Sequence, residues 1–130
     1  RILFLQKIVS NDGRVKFAYI FGSRAHGYAN SSSDFDLAVF LNENDRAKRF
    51  DIRMELITVV TKVISRHCLD LVVINDINSV ALLYDISLGK LLCSRNDSER
   101  IDFELRSLNA YLDFRPFLNE YNQNYVWRNI

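Results

Sequence analysis

Gly22-Ser23 is followed, after ten intervening residues, by Asp34-Phe35-Asp36, and a third carboxylate, Asp70, interrupts the apolar run Leu69 to Ile74 (LDLVVI). Each residue type suits one part of a phosphate-handling site. Gly22 permits a turn conformation that a β-carbon would hinder, and it lets backbone amides come close to an anion. Ser23 adds a hydroxyl donor. If Arg24 to Gly27 opens a short helix, its free N–H groups and dipole face the same anion. A triphosphate tail fits such a cradle. Asp34 and Asp36, two apart on a strand, project from one face with Cβ atoms roughly 6.5–7 Å apart. Hard carboxylate oxygens at that separation suit Mg²⁺, and like charges so close call for a cation between them. Asp70, set between Leu69 and Leu71, would be unfavourable to bury unpaired, which a metal or a reactive proton would explain.

Together these residues predict nucleotidyl transfer. Asp34 and Asp36 would hold two Mg²⁺ ions roughly 3.5–4 Å apart, one of them shared with Asp70. Asp70 would help to remove the proton of an attacking hydroxyl, while Gly22 and Ser23 hold the β and γ phosphates of the departing pyrophosphate. Arg24 is a further phosphate-binding candidate, because guanidinium and phosphate match in geometry. His26 lies in the same loop, where a solvated side chain is the simpler reading.

The elements that must position these groups alternate along the chain. Ile2, Leu5, Ile8 and Val9 have helical spacing before the turn formers Asn11-Asp12-Gly13. Lys16 to Phe21 (KFAYIF) reads as a buried strand running into Gly22, and Asp34 to Leu41 (DFDLAVFL) as a second. On the second, Phe35, Leu37 and Val39 share one face, and Asp34, Asp36, Ala38 and Phe40 the other. Asn44 or Asp45 can cap a helix to about Ser65, with Phe50, Met54, Ile57, Val60 and Ile64 as its apolar stripe. Its Arg46, Lys48, Arg49 and Arg53 read as a solvated surface. Leu69 to Ile74 is a third strand, Ser79 to Leu88 a helix ended by Gly89 as C-cap, and Lys90 to Cys93 a short fourth strand. Ser98 caps a C-terminal helical segment, about residues 98–127, with Ile101, Leu105, Leu108 and Leu112 on one side and a kink or restart at Pro116. The expected fold is α/β (α+β), a small mixed sheet with helices packed on it, forming one domain over residues 1–130.

Composition narrows the partners. Seventeen Lys and Arg against sixteen Asp and Glu leave a formal charge of +1, which gives no overall field for nucleic acid or an acidic membrane. The longest apolar runs, Phe17 to Phe21 and Leu37 to Leu41, are too short to span a bilayer, and the N-terminus has no signal-peptide pattern. A cytoplasmic location is the expectation. Cys68 and Cys93 each sit beside a leucine, as buried reduced thiols would. A zinc site at His67-Cys68 is disfavoured, since neighbours on a strand point to opposite faces.

Phe21 to Phe40 (FGSRAHGYANSSSDFDLAVF) resembles the GS-x10-DxD signature of the nucleotidyltransferase superfamily that includes DNA polymerase β, and in particular its minimal nucleotidyltransferase (MNT) branch. LDLVVI resembles the strand that carries the third family carboxylate, and looser resemblance extends to Tyr111. Many members of this branch are antitoxins encoded with a HEPN-domain ribonuclease toxin. The resemblance therefore implies a nucleotidyltransferase fold, ATP as substrate with Mg²⁺, and transfer of AMP to a tyrosine of a HEPN toxin partner, which silences it. Two other outcomes stay open: a small nucleotidyltransferase that modifies an antibiotic-like hydroxylated molecule, and a non-catalytic antitoxin that acts by occlusion. The aromatic stretch Tyr111 to Trp127 could line an acceptor pocket, pack on the core or meet a partner.

Overall fold

The computed structural model describes residues 2–22, 35–64 and 69–128, with side chains given to Arg115 and Phe35 described by its backbone alone. The described elements are α1 (Ile2–Ser10), β1 (Val15–Phe21), β2 (Phe35–Leu41), α2 (Arg46–Val60), β3 (Leu69–Val73), α3 (Val80–Ser87), β4 (Lys90–Ser94) and α4 (Asp97–Arg128). A single 3₁₀ turn, Ile74–Asp76, follows β3. The strands lie in the order β3-β2-β1-β4. β1 is antiparallel to β2 and β4, and β2 is parallel to β3, so the sheet is mixed as expected.

Both faces of the sheet are covered, which is why β1 reads as a continuous apolar run. Ala18, Ile20, Leu37, Val39, Leu71 and Val73 share one core with Leu5 and Val9 of α1 and with Ile52, Leu56 and Val60 of α2. On the opposite face Phe17, Tyr19, Phe21 and Ala38 pack with Ile74 and with Ile86 of α3, and Phe40, Val72 and Phe103 border them. The outer strands are each tied to a helix by one side chain. Gln6 Nε2 donates to the Leu92 carbonyl on β4 at 3.0 Å, and Arg53 Nε to the Leu71 carbonyl on β3 at 2.8 Å. Both bonds occupy acceptors on the two edge strands, where unpaired backbone invites further pairing.

Several local expectations change. α2 buries Ile52, Leu56 and Val60, whereas Phe50 and Met54 are exposed; the helix ends at Val60, before the expected Ser65. Two apolar stripes coexist on this helix, and periodicity alone does not choose between them. Asp45 is its N-cap, accepting from the Ala47 amide at 3.1 Å. Arg49 and Arg53 are half-buried and engaged rather than free on a solvated surface: Arg49 Nη2 reaches Asp76 at 2.6 Å, and Arg53 holds β3. Ser79 caps α3 through the Leu82 amide. Gly89 is not a left-handed cap; a β-carbon there would lie 2.4 Å from the Ile20 carbonyl oxygen, so close packing on β1 requires it. α4 starts at Asp97, because Asn96 Oδ1, rather than Ser98, accepts from the Glu99 amide at 3.0 Å. It continues past Pro116 without restarting, as one lost amide bond in a long helix permits.

Candidate active site

β1 ends where β2 and β3 begin, and that shared end of the sheet gathers the candidate residues. Phe21 is the antiparallel partner of Asp36, and Asp36 is the parallel partner of Asp70. Residues paired across neighbouring strands point to the same face, with strands about 4.8 Å apart. Asp36 and Asp70 precede Ala38 and Val72 by two residues each, so both belong to the face that carries Phe21, Ala38 and α3. Two carboxylates from different strands thus stand side by side.

Gly22 closes this corner. Its φ of 77° lies in the left-handed region, and a β-carbon would come within 2.4 Å of Asp36 Oδ2. Glycine is therefore needed twice over, for the turn and for the close approach of the Asp36 carboxylate. The sequence suggested the first reason and, for the second, an anion in place of Asp36.

Asp70 departs from expectation. Its side chain is exposed at the start of the edge strand β3, so burial imposes no penalty that a metal must relieve. What remains of the argument is position beside Asp36, and exposure leaves Asp70 open to an incoming hydroxyl. Ser23, Arg24 and Asp34, with His26, lie outside the described residues, as do His67 and Cys68. Cys93 is a free thiol whose pKa is pushed up by burial.

Two positioning residues had no signature in the sequence. Asn75 Oδ1 accepts from the Leu41 amide at 2.9 Å, and its Nδ2 donates to the Leu41 carbonyl at 3.0 Å. The side chain thereby imitates a strand partner and ties the end of β2 to the segment after β3. Arg53 holds β3 from the other side. Both fix the register that aligns Asp36 with Asp70. An Asn directly after a β-branched strand was the available signal, and it reads equally well as a turn former.

The donor set fits a hard divalent cation: adjacent carboxylates, one of them reachable from solvent, with Asp34 two residues before Asp36. A separate cavity of about 400 Å³ lies on the same face of the sheet, lined by Phe17, Phe40, Phe103 and Leu83 with Asp102 and Arg106 among its polar residues. Phe40 is four residues along β2 from Asp36, about 13 Å at strand rise, so this cavity is not the carboxylate site.

Residues 4–98 match the family model described as "Polymerase beta, Nucleotidyltransferase". No curated protein matches the sequence. Solved structures with the same fold include the chain matched in a toxin–antitoxin MntA–HpeT complex whose mutations change two aspartates, two positions apart, to glutamate. It has TM-score 0.71 and 18% identity, over 97% of this chain and 98% of that one. Another is in a complex of tri-AMPylated Shewanella oneidensis HEPN toxin with MNT antitoxin, at TM-score 0.64 and 17% identity, over 97% and 99%. A third is in a toxin–antitoxin structure with AMP-PNP, at TM-score 0.66 and 20% identity, over 96% and 95%.

Proposed function

This chain belongs to the polymerase beta nucleotidyltransferase family, and we propose that it is an antitoxin that transfers AMP from ATP to a tyrosine of a HEPN toxin in the cytoplasm. The observation that carries the chemistry is the alignment of Asp36 with Asp70, with Gly22 pressed against Asp36. The purpose is supported by structural relatives found in toxin–antitoxin complexes, one with an AMPylated toxin and one with an ATP analogue.

Asp34, Asp36 and Asp70 would hold Mg²⁺, which when bound supplies charge neutralisation at the phosphates. Ser23, Arg24 and the amides beyond Gly22 would grip the triphosphate tail and set the α-phosphorus in line with the acceptor. Asp70, exposed beside Asp36, would accept the proton of the tyrosine hydroxyl as its oxygen bonds to phosphorus and pyrophosphate departs. The 400 Å³ cavity is largely apolar, and its wall on β2, Phe40, is about 13 Å along the strand from Asp36, so it is poorly suited to present a hydroxyl-rich small molecule to this site.

Coexpression with the HEPN protein encoded beside it, followed by intact-mass measurement of that protein, tests the reading. Addition of one or more AMP groups is expected, and the double variant Asp34→Ala/Asp36→Ala should add none. An unmodified HEPN protein would overturn AMP transfer. If nucleotide-free antitoxin silences the unmodified toxin equally well, occlusion replaces transfer as the mechanism.

A further inference from the structure

α4 carries two apolar stripes, and only one is used within the described chain. Its inward face holds Phe103 against the rings of Phe17 and Tyr19, accepts the Tyr19 hydroxyl at Glu104, buries Ser107 and stacks Tyr111 on Tyr84 at 3.9 Å. Ile101, Leu105, Leu108 and Leu112, the stripe that stands out in the sequence, are 46%, 54%, 38% and 48% exposed. None of the four belongs to either core cluster. At about 100° per residue they lie on roughly the opposite side of the helix from Phe103. Their spacing of four, three and four residues keeps them in line over about 16 Å.

Leu88, 55% exposed at the end of α3, extends this stripe. With Tyr84, Ile101, Leu105 and Leu108 it lines a shallow groove of about 300 Å³. The next residue, Gly89, lies against the Ile20 carbonyl and the Phe21 side chain, one residue from Gly22. The groove therefore leads toward the end of the sheet where Asp36 and Asp70 stand. Among the described residues, the charged side chain that lines it, Glu104, is already paired with Arg100 at 3.0 Å, so apolar shape governs what fits.

We propose that this α3–α4 seam is the docking surface for an amphipathic helix of the acceptor protein, and that a partner seated there brings its hydroxyl to the carboxylates. The proposal rests on the reading of the chain as a protein-modifying antitoxin. Two observations favour an acceptor over a second copy of this chain. The family match ends at residue 98, so nearly all of α4 lies beyond the catalytic part common to the family, yet it is included in the fold shared with chains from toxin–antitoxin complexes. Among the described residues, five half-exposed aliphatic side chains also offer about half of the ~800 Å² per partner that a stable dimer buries, whereas an acceptor gains further contact at the catalytic end.

The test uses the full chain with the neighbouring HEPN protein, reading complex formation by native mass spectrometry separately from AMP transfer by intact mass. Leu105→Glu/Leu108→Glu should weaken the complex at least roughly a hundredfold and reduce transfer with it, as expected for two central apolar anchors. ATP affinity and thermal midpoint should stay at wild-type values, and Lys48→Glu on α2 should leave binding intact. If the double variant loses its fold, Leu105→Ser/Leu112→Ser takes its place with the same expectation. A complex that survives either folded variant overturns the seam, as does a wild-type chain that does not bind the HEPN protein. A wild-type homodimer that the variant converts to monomer overturns the choice of occupant. A wild-type chain that binds without transferring AMP sinks the proposed function alone, and loss of binding in the variant still supports the seam.

Discussion

At the catalytic end of the sheet, three strands deliver Gly22, Asp36 and Asp70 in register, and a single added β-carbon at Gly22 would overlap a carboxylate oxygen. Along α4, four large aliphatic side chains stand about half exposed, outside either core cluster. The first region is specified by close approach and tolerates almost nothing. The second is loosely constrained by its own fold, so its apolar residues answer to something other than packing. Reaction and target thus sit on separable elements, and substitutions should separate them experimentally.

The sharpest separation is expected from Gly22→Ala. The left-handed backbone strain of about 1–2 kcal/mol adds to the collision with Asp36, and displacing that carboxylate should lower transfer at least roughly a hundredfold. The complex with the toxin, read by native mass spectrometry, should persist. Simultaneous loss of binding would mean that the catalytic corner and the docking surface are one region.

Asp70→Asn should act more narrowly. Because its side chain is exposed on an edge strand, denaturant unfolding should shift by no more than about 0.5 kcal/mol. Removing a proton acceptor should still lower kcat by about 10²-fold, with KM for ATP little changed. Full activity in this variant would reduce Asp70 to a solvated strand end.

The parts of the molecule legible in the sequence were those where a local rule and the tertiary environment agree. β1 stops at Gly22, β2 divides its faces as the alternation requires, and Asp45 caps α2. Strand order is not written in any one segment, so LDLVVI concealed that β3 is an edge and Asp70 exposed. α2 offered Phe50 and Met54 as readily as Ile52 and Leu56, and only the sheet beneath it selects the second pair. On α4 the most regular apolar stripe turned outward, while a mixed face of Phe103, Glu104 and Ser107 packs inward because Tyr19 supplies a hydroxyl for Glu104 to accept. Burial raises the Tyr19 pKa first, with the Glu104 carboxylate adding to it, so the phenol keeps that proton to donate.

Asn75 allows the gentlest test, since it touches neither phosphate nor acceptor in the proposed reaction. Asn75→Ala removes the partners of both the amide and the carbonyl of Leu41, which is itself buried. The expected loss is about 1–3 kcal/mol of stability by denaturant unfolding, with transfer reduced less than about tenfold under conditions where the protein is folded. Asn75→Asp should fall between the two, because a carboxylate still accepts from the Leu41 amide but has no N–H to donate to its carbonyl. Such a graded series would place Asn75 in the support of the β2–β3 register. A large fall in transfer with unchanged stability would instead extend the intolerant catalytic region to the far end of β2, beyond the corner formed by Gly22, Asp36 and Asp70.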